Sequence, residues 1–437
     1  MSLHPWNRRP RPELAWSAIG VALLGVIGLA FSLGQALSKA GAPEVPAART
    51  PYDPDLARKT VAFWEANARR DSEGAIELKE LAGAYLALQR ETGDIADAVR
   101  AEDAARRSLK IRQKGNTSAL IRLARALLAQ HRFPEAMEVA AKAAAVDPQA
   151  SRVVADIQLE LGEYDAATKS LAAVPAESDD MNSKALRARF EQIEGKPGRA
   201  IDLMKDARNL TDARPDMPAE VVAWYHTMVG HMLIDTGKLD EGEAACRKAL
   251  EIFPRDYRAM TGMAEAANWR GDHEATIAWG RKALAICSQN PEALRLVGEA
   301  YAAQGKSAEA DEQYRLLEVL AHSFPRIYDR HWVLFCADND RNLDEALTLA
   351  RKDLELRHDV HGYDTLAWIC FKKGLLPEAS RIMEKALERG TQEAPLLHHA
   401  SVIARATGDK ARADELLARA RDLNPYLVQA EETTTTK

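Results

Sequence analysis

The sequence has few of the residues on which enzyme and metal chemistry depends. It contains four cysteines among 437 residues, none of them spaced as CxxC, and aromatic residues make up only 6%. The motifs GxSxG, HExxH and CxxCH are missing, as is a phosphate-binding loop. Nucleophile elbows, zinc proteases and nucleotide-binding loops each need such fixed spacing. We therefore expect a protein that is not an enzyme, with no catalytic residues, no metal site and no cofactor.

Long β-branched runs and hairpin turns are missing as well. Alanine, leucine, glutamate and arginine dominate instead, which predicts a chain that is almost entirely helical. The net charge is −6, and acidic and basic residues are interspersed. A nucleic-acid-binding domain would carry a concentrated basic surface. The composition therefore argues against a nucleic-acid partner.

The chain does contain a repeated sequence motif, in which a turn glycine is followed by an amphipathic helix. After Gly195, Gly237, Gly374 and Gly408, small residues recur on one face of the following helix. The same turn position can be followed through the chain at intervals of about 35 residues, a period typical of stacked helix pairs. The ten positions are Gly93, His131, Gly162, Gly195, Gly237, Gly271, Gly305, Arg341, Gly374 and Gly408.

This pattern resembles the tetratricopeptide repeat (TPR) over residues 79–427. The resemblance implies an all-α fold, a right-handed superhelical solenoid of about ten helix pairs. Four repeats fall in residues 79–214 and six in residues 223–427. Between them, residues 215–222 form a loop, which is either a hinge between two sub-stacks or a tolerated surface insertion.

The first residues predict a membrane anchor. Residues 1–13 carry three arginines, and residues 14–38 contain no charged side chain. As a helix, 25 residues extend about 37 Å, enough to cross a bilayer core of about 30 Å. We expect residues 1–13 to be a basic cytoplasmic N-terminus and residues 14–38 to be a single transmembrane signal anchor in a bacterial inner membrane, with the repeats on the extracytoplasmic side. A cleavable secretory signal ending at Ser38-Lys39-Ala40 is the alternative.

The segments that flank the repeats are simpler. Residues 39–54 are rich in proline and alanine and predict an extended linker. Residues 55–78 are expected to form a capping helix, because the first repeat of a solenoid otherwise exposes its stacking face. Residues 428–437 are predicted to be a disordered tail.

The cysteines and the late histidines are the remaining candidates for redox or metal chemistry. Cys246 and Cys370 fall at positions where other repeats carry core residues, and a disulfide between Cys336 and Cys370 is an alternative. His358 and His361 have a spacing compatible with a metal on a helix, but spacing fixes no third ligand. A metal protein that uses the C-terminal histidines is therefore a lesser alternative.

The resemblance also implies a binding groove, lined by the first helix of each pair at positions about thirteen, ten, six and three before the turn. In the first repeats these positions hold Arg125, Arg152, Asp156, Arg189 and Gln192. The predicted groove residues of the later repeats are Trp224, His231, Arg258, Asn268, Arg295, Tyr328, His331, Phe335, His361, Trp368, Phe371, His398 and Arg405. A register error of one residue would exchange groove positions for core positions.

Function follows from the resemblance alone. It implies a membrane-anchored scaffold or assembly factor that holds segments of other proteins in its groove at the cell envelope. A chaperone-like periplasmic adaptor, released after signal cleavage, is the alternative. The asparagine and basic clamp that some proteins of this family use for a terminal carboxylate is not found at the matching positions.

Overall fold

The computed structural model describes residues 52–175 and 180–427. The predicted N-terminus 1–13, the transmembrane segment 14–38, most of the linker 39–54 and the tail 428–437 lie outside the described residues. Among the helices that are described, none is long and apolar enough to cross a membrane.

The described residues form 21 α-helices and no strand. The first eleven are α1 Leu56–Arg70, α2 Ala75–Thr92, α3 Ile95–Ile111, α4 Thr117–Ala129, α5 Phe133–Ala144, α6 Ser151–Leu161, α7 Tyr164–Ala172, α8 Met181–Ile193, α9 Pro197–Asp212, α10 Ala219–Asp235 and α11 Leu239–Ile252. The others are α12 Tyr257–Trp269, α13 His273–Ile286, α14 Pro291–Ala303, α15 Ser307–Ser323, α16 Asp329–Asp338, α17 Leu343–Leu354, α18 Val360–Lys372, α19 Leu376–Leu387, α20 Ala394–Ala406 and α21 Lys410–Leu423.

From α2 onward the helices pack as consecutive pairs, so α2 and α3 form the first pair and α20 and α21 form the tenth. Each first helix also contacts the first helix of the next pair, as α10 contacts α12 and α18 contacts α20. The prediction of an all-helical repeat fold is thus confirmed for the described residues. Helix α1 packs against α2, with Val61 in the same core cluster as Leu78 and Leu81.

The turns between paired helices use the left-handed backbone conformation. Gly195, Gly237 and Gly374 have φ of 72°, 70° and 74°, and His131 adopts the same region at 53°. A left-handed residue ends a helix by letting the next N–H groups bond back to its last carbonyls. Glycine has no Cβ and reaches this region without strain, which explains its preference for the turn position.

The predicted turn position at Arg341 is wrong by one residue. In the eighth pair, Asp340 and Asn342 take the left-handed conformation, with φ of 51° and 45°. The Arg341 N–H bonds to the carbonyl of Cys336, which is the bond made elsewhere by the residue after the turn position. The turn therefore begins at Asp340 and holds one additional residue before α17, which starts at Leu343.

Small residues allow the paired helices to approach closely. The alanines five residues after the turn are buried, including Ala136, Ala200 and Ala379, each with 0% of its surface exposed. The fifth pair carries glycine on both helices. A Cβ placed on Gly242 would lie 2.6 Å from Cγ1 of Ile234 and 2.8 Å from the carbonyl oxygen of Gly230. The close crossing of α10 and α11 therefore requires glycine at position 242, because a Cβ does not fit there.

The packing continues across the predicted loop, which in the structure spans residues 213–218 because α10 already begins at Ala219. One apolar cluster joins Ile201 and Met204 of α9 to Tyr225 and Val229 of α10. The loop therefore connects helices that share a core, which is the arrangement expected of a surface insertion.

A second set of contacts joins each early turn to the chain six pairs later. The turn at His131 contacts Arg326, which precedes the eighth pair, and the turn at Gly162 lies against His358, which precedes the ninth. The turns at Gly93, Gly195 and Gly237 meet the equivalent places before the seventh pair, before the tenth and after the tenth. We call this set of contacts the seam, and its hydrogen bonds join residues 195 to 201 positions apart.

The seam is held mainly by polar groups. The His358 N–H donates to the carbonyl of Leu161 over 2.9 Å, and the Val360 N–H donates to the hydroxyl of Tyr164 over 2.9 Å. The buried hydroxyl of Thr391 donates to the carbonyl of Ile193 over 2.6 Å. These bonds link turns and helix ends, where backbone groups would otherwise lack partners.

Candidate functional site: the inner wall

The first helices of the pairs together form what we call the inner wall, which surrounds two cavities. The central cavity, about 360 Å³, is lined by residues of α6, α8, α10, α12, α16, α18 and α20, with further residues from α7, α9 and adjoining loops. The second, the Arg125 cavity, is about 410 Å³ and is lined by α2, α4, α6, α8 and α10. Each cavity has room for side chains of a bound polypeptide.

Polar pairs between neighbouring first helices cover much of the inner wall. Arg189 of α8 donates to Asp156 of α6 over 2.6 Å and also to Glu160. In the later pairs, His399 of α20 lies 3.0 Å from Asp364 of α18. These pairs connect residues about one repeat apart, so they tie consecutive first helices together as well as lining the cavities.

His361 links the inner wall to the seam. Its Nε2 lies 2.9 Å from the Glu393 carboxylate, which also accepts a hydrogen bond from Gln192 over 3.2 Å. The negative charge of Glu393 raises the pKa of His361 to about 9, against the effect of burial. Burial raises the pKa of Glu393, but the His361 charge outweighs it and the pKa is lowered. Both groups are therefore charged at neutral pH.

A second histidine–carboxylate pair reaches the central cavity through Glu265. His231 of α10 contacts Glu265 of α12 at 3.3 Å and the carbonyl of Arg258 at 3.0 Å. Burial alone would lower the pKa of His231, but the hydrogen bond to Glu265 raises it to about 9. The nearby Asp235 is exposed on the cavity surface. The surrounding protein still removes part of its hydration, and together with the negative charge of Glu265 this raises the pKa of Asp235 well above its usual value.

Trp368 is packed into the wall instead of projecting from it. Its ring stacks between Phe371, at a centroid distance of 5.1 Å, and His399, at 4.2 Å. Its Nε1–H donates to Asp338 over 2.8 Å. Only 8% of the residue is exposed. The aromatic group predicted to line the groove here mainly joins α16, α18 and α20.

Two further predicted groove residues belong to the core. Tyr328 and Phe335 are 7% and 1% exposed, and both lie in the apolar cluster of the later pairs. Their assignment to the groove is corrected, and the cause is the turn position. Since the turn begins at Asp340, the groove register moves back by one residue to Arg330, which does line the central cavity.

The other predicted residues are divided among several surroundings. Trp224 lines the Arg125 cavity, His361 lines the central cavity, and His331 is exposed on α16. Three predicted arginines bond to other residues of the protein. Arg258 donates to the carbonyl of Arg90, Arg295 pairs with Glu292 and Glu299, and Arg405 pairs with Asp414. The side chains of Asn268, Phe371 and His398 are half-buried. No single pocket brings the whole predicted set together among the described residues.

Several residues that line the central cavity are not predicted by the repeat pattern, among them Glu393, Asp235 and Tyr164. Glu393 precedes α20 and Asp235 is two residues before its turn, so neither occupies a groove position of the repeat. Tyr164 belongs to the second helix of its pair and enters through the seam. Only a signal for contacts six pairs apart would have found it.

The cysteines and histidines take structural places. All four cysteines are buried and free, so the alternative disulfide between Cys336 and Cys370 is not present. Burial raises the pKa of the Cys336 thiol to about 12. In the described part of the chain, no group of three or more histidine, cysteine, aspartate or glutamate side chains is placed to hold a metal ion.

Comparison with known proteins gives one direct match. The sequence profile of the tetratricopeptide repeat matches residues 225–256, which correspond to most of α10 and all of α11. Over these residues the chain is similar to a tetratricopeptide repeat. This match and the ten helix pairs support a repeat scaffold of that type for the described residues.

Two solved structures resemble the fold at low identity. The crystal structure of the APC/C hetero-tetramer Cut9–Hcn1 is 12% identical, with 84% of each chain covered and a TM-score of 0.46. Yeast Tom70 is 14% identical, with 87% of this chain and 93% of the other covered and a TM-score of 0.37. No curated protein matches the sequence.

Proposed function

We propose that this protein is a non-enzymatic scaffold whose inner wall binds segments of other proteins, and that residues 14–38 anchor it in a membrane. The observation that carries the binding proposal is the inner wall itself, with two cavities of about 360 and 410 Å³ formed by first helices. A wall with charged and aromatic groups in concave sites is suited to holding a polypeptide.

Site-specific photo-crosslinking tests where a partner binds. A photoreactive amino acid replaces Asp235, which is exposed on the first helix α10 and lines the central cavity, or Glu312, which is exposed on the second helix α15. The two positions lie on helices of different type. We expect Asp235 to give discrete crosslinks to other polypeptides in cells and Glu312 to give few. Equal labelling at the two positions, or labelling at Glu312 alone, would show that the inner wall is not the binding surface.

The membrane part of the proposal rests on the uncharged run at residues 14–38 and on the arginines before it. Replacing Leu23 and Val26 by arginine places two charges at the centre of the run, which a bilayer core disfavours. We expect the natural chain to sediment with membranes until detergent is added, and the double variant to leave them. Release of the natural chain by a wash without detergent would instead favour the adaptor that is cleaved at residues 38–40.

A cysteine introduced at the exposed Glu241 tests the side of the membrane. Because all four natural cysteines are buried, a membrane-impermeant maleimide should react mainly with the added thiol. Labelling of intact cells lacking an outer permeability barrier is expected if the repeats are extracytoplasmic. Labelling only after lysis would contradict that orientation.

A further inference from the structure

The Arg125 cavity contains a cation without a partner. It is lined by first helices of the first five pairs, and its charged lining groups are Arg90, Arg125, Asp156 and Glu220. Arg90 pairs with Glu220 over 2.5 Å, and Asp156 accepts from Arg189. Arg125 forms neither a hydrogen bond nor an ion pair with any described residue.

The arginines around it are already engaged. Arg122 pairs with Glu80 over 2.8 Å, and Arg152 pairs with Asp180 over 2.5 Å. Desolvation, followed by repulsion from Arg90, lowers the pKa of Arg125 from its ordinary value, although a guanidinium stays protonated in any accessible pH range. A carboxylate entering the cavity would therefore meet one unpaired guanidinium, which suits paired hydrogen bonding to its two oxygens.

An apolar surface lies in the same cavity. Trp224 is half-buried, and Leu86 and Val221 line the cavity beside it. The Trp224 ring meets the ring of the buried Tyr225 edge-on, at a centroid distance of 4.8 Å. A rigid aromatic group loses little conformational entropy on binding, so it is suited to anchoring a neighbouring apolar side chain.

We propose that the Arg125 cavity receives an acidic side chain of a bound peptide, with Arg125 pairing its carboxylate and Trp224 covering an adjacent apolar residue. The partner is thus a protein segment that presents aspartate or glutamate next to an apolar residue. This inference rests on the proposed function, since it names the segment that the inner wall would recognise. The carboxylate belongs to a side chain within the segment, so no free C-terminus is needed.

Selection from a random peptide library tests it. The full-length protein in detergent micelles is immobilised and panned against dodecapeptides joined to their carrier at both ends, so that no terminal carboxylate is present. We expect enrichment of aspartate and glutamate next to apolar residues. A selected peptide should bind the Arg125→Gln variant roughly tenfold more weakly, as the loss of a charge-assisted bond predicts.

Two controls distinguish binding at Arg125 from a general effect of the protein's charge on peptide affinity. Arg281→Gln removes the same charge from an exposed position on α13 outside the cavity and should leave binding unchanged. Replacing the acidic residue of the peptide by glutamine should weaken binding to the natural protein but cause little further loss with Arg125→Gln. The effect of the peptide substitution on the natural protein needs no protein variant, so that measurement stands even if Arg125→Gln folds poorly.

The outcomes distinguish the inference from the function on which it rests. If peptides are selected without acidic enrichment, or if Arg125→Gln binds acidic peptides as well as the natural protein does, the inference is overturned and peptide binding remains. If the natural protein selects no peptide, the proposed function fails, and the inference fails with it.

Discussion

Two sets of contacts hold the helices together: the stack, in which neighbouring helices of the repeat pack side by side, and the seam, in which turns meet the chain six pairs later. The two sets use different chemistry. Within the stack, neighbouring helices meet through small apolar residues such as Ala200 and Gly242, with no space left between them. At the seam, turns and helix ends six pairs apart meet through individual hydrogen bonds, such as that from Thr391 to Ile193. Enlarging one side chain in tightly packed apolar contacts lowers the free energy of unfolding by a large amount, whereas removing one hydrogen bond lowers it by a small amount.

The largest effect is expected from overpacking the stack. In Gly242→Leu the new side chain would overlap Ile234 and the backbone of Gly230, because even a Cβ lies within 2.8 Å of both. We expect the free energy of unfolding to fall by about 3 kcal/mol or more. Urea unfolding followed by circular dichroism measures it. The matched control is Gly198→Ala in α9, where a Cβ has nothing within 4 Å, and helix propensity should add about 0.5–1 kcal/mol. Similar losses in both variants would contradict close packing at α10–α11.

A pair of turn glycines isolates the contribution of the seam. Gly195 and Gly374 have nearly equal φ, 72° and 74°, but a Cβ on Gly195 would overlap the carbonyl oxygen of Gly390, whereas one on Gly374 meets nothing within 4 Å. Replacing either by alanine costs about 1–2 kcal/mol for the left-handed backbone. Gly195→Ala should cost about 1 kcal/mol more, because the seam must shift to relieve the overlap.

Hydrogen exchange provides the local measurement for this pair. We expect faster exchange in residues 387–393 of Gly195→Ala and natural exchange there in Gly374→Ala, because only the first turn touches that segment. Equal stability and equal exchange in the two variants would mean that the seam does not form.

The same contrast explains what the sequence could predict. The stack repeats every thirty-odd residues, so small residues such as Ala136 and Ala379 could be assigned to the core from spacing alone, and they are buried. The seam joins dissimilar residues far apart in the chain, as Tyr164 and Val360 are, and no periodic signal marks them. The error at Arg341 has a local cause, since Asp340 and Asn342 adopt a conformation usually reserved for glycine. It shifted Phe335 from core to groove in the prediction.

In the candidate site, too, the sequence predicted the positions set by the repeat but not the contacts between repeats. The groove rule led to Trp224 and His361, which do line cavities, because both follow from distance to a regular turn. It could not say which polar groups would be paired with each other. Arg189 and Arg125 occupy equivalent positions, yet Arg189 meets two carboxylates and Arg125 meets none. Which arginine is left for a ligand depends on side chains of other repeats.

A smaller loss is expected from removing one hydroxyl at the seam. In Tyr164→Phe the buried N–H of Val360 loses its acceptor while the ring is retained. An unsatisfied buried donor costs about 1–2 kcal/mol, which should appear as a lower urea midpoint. Tyr363→Phe is the control, since that half-buried tyrosine lies outside the seam hydrogen bonds and its hydroxyl bonds to none of the described residues. A midpoint unchanged in Tyr164→Phe would show that water replaces the hydroxyl there.

The smallest effect should depend on pH. Because Glu393 raises the pKa of His361 to about 9, protonated His361 stabilises the folded chain fully below about pH 6.5, the ordinary histidine value in the unfolded chain. The contribution then declines as pH rises and is absent above about pH 9. At the acid end it declines again once Glu393, whose pKa is lowered, becomes protonated. His361→Gln should therefore lower the urea midpoint at pH 6 and leave it nearly unchanged at pH 10.

The comparison for this last variant is His322→Gln. His322 pairs with Glu345 at 2.7 Å within the stack, and their side chains are 52% and 39% exposed, against 44% and 20% for His361 and Glu393. Exposed ion pairs contribute little to stability, so its midpoint should change less at pH 6. Glu393→Gln should reproduce the pH profile of His361→Gln, because either change removes the same pair. Glu393→Gln also alters the bond to Gln192 at the seam. If His361→Gln destabilises the chain equally at pH 6 and pH 10, the histidine acts there through packing, and charge pairing contributes nothing to the seam.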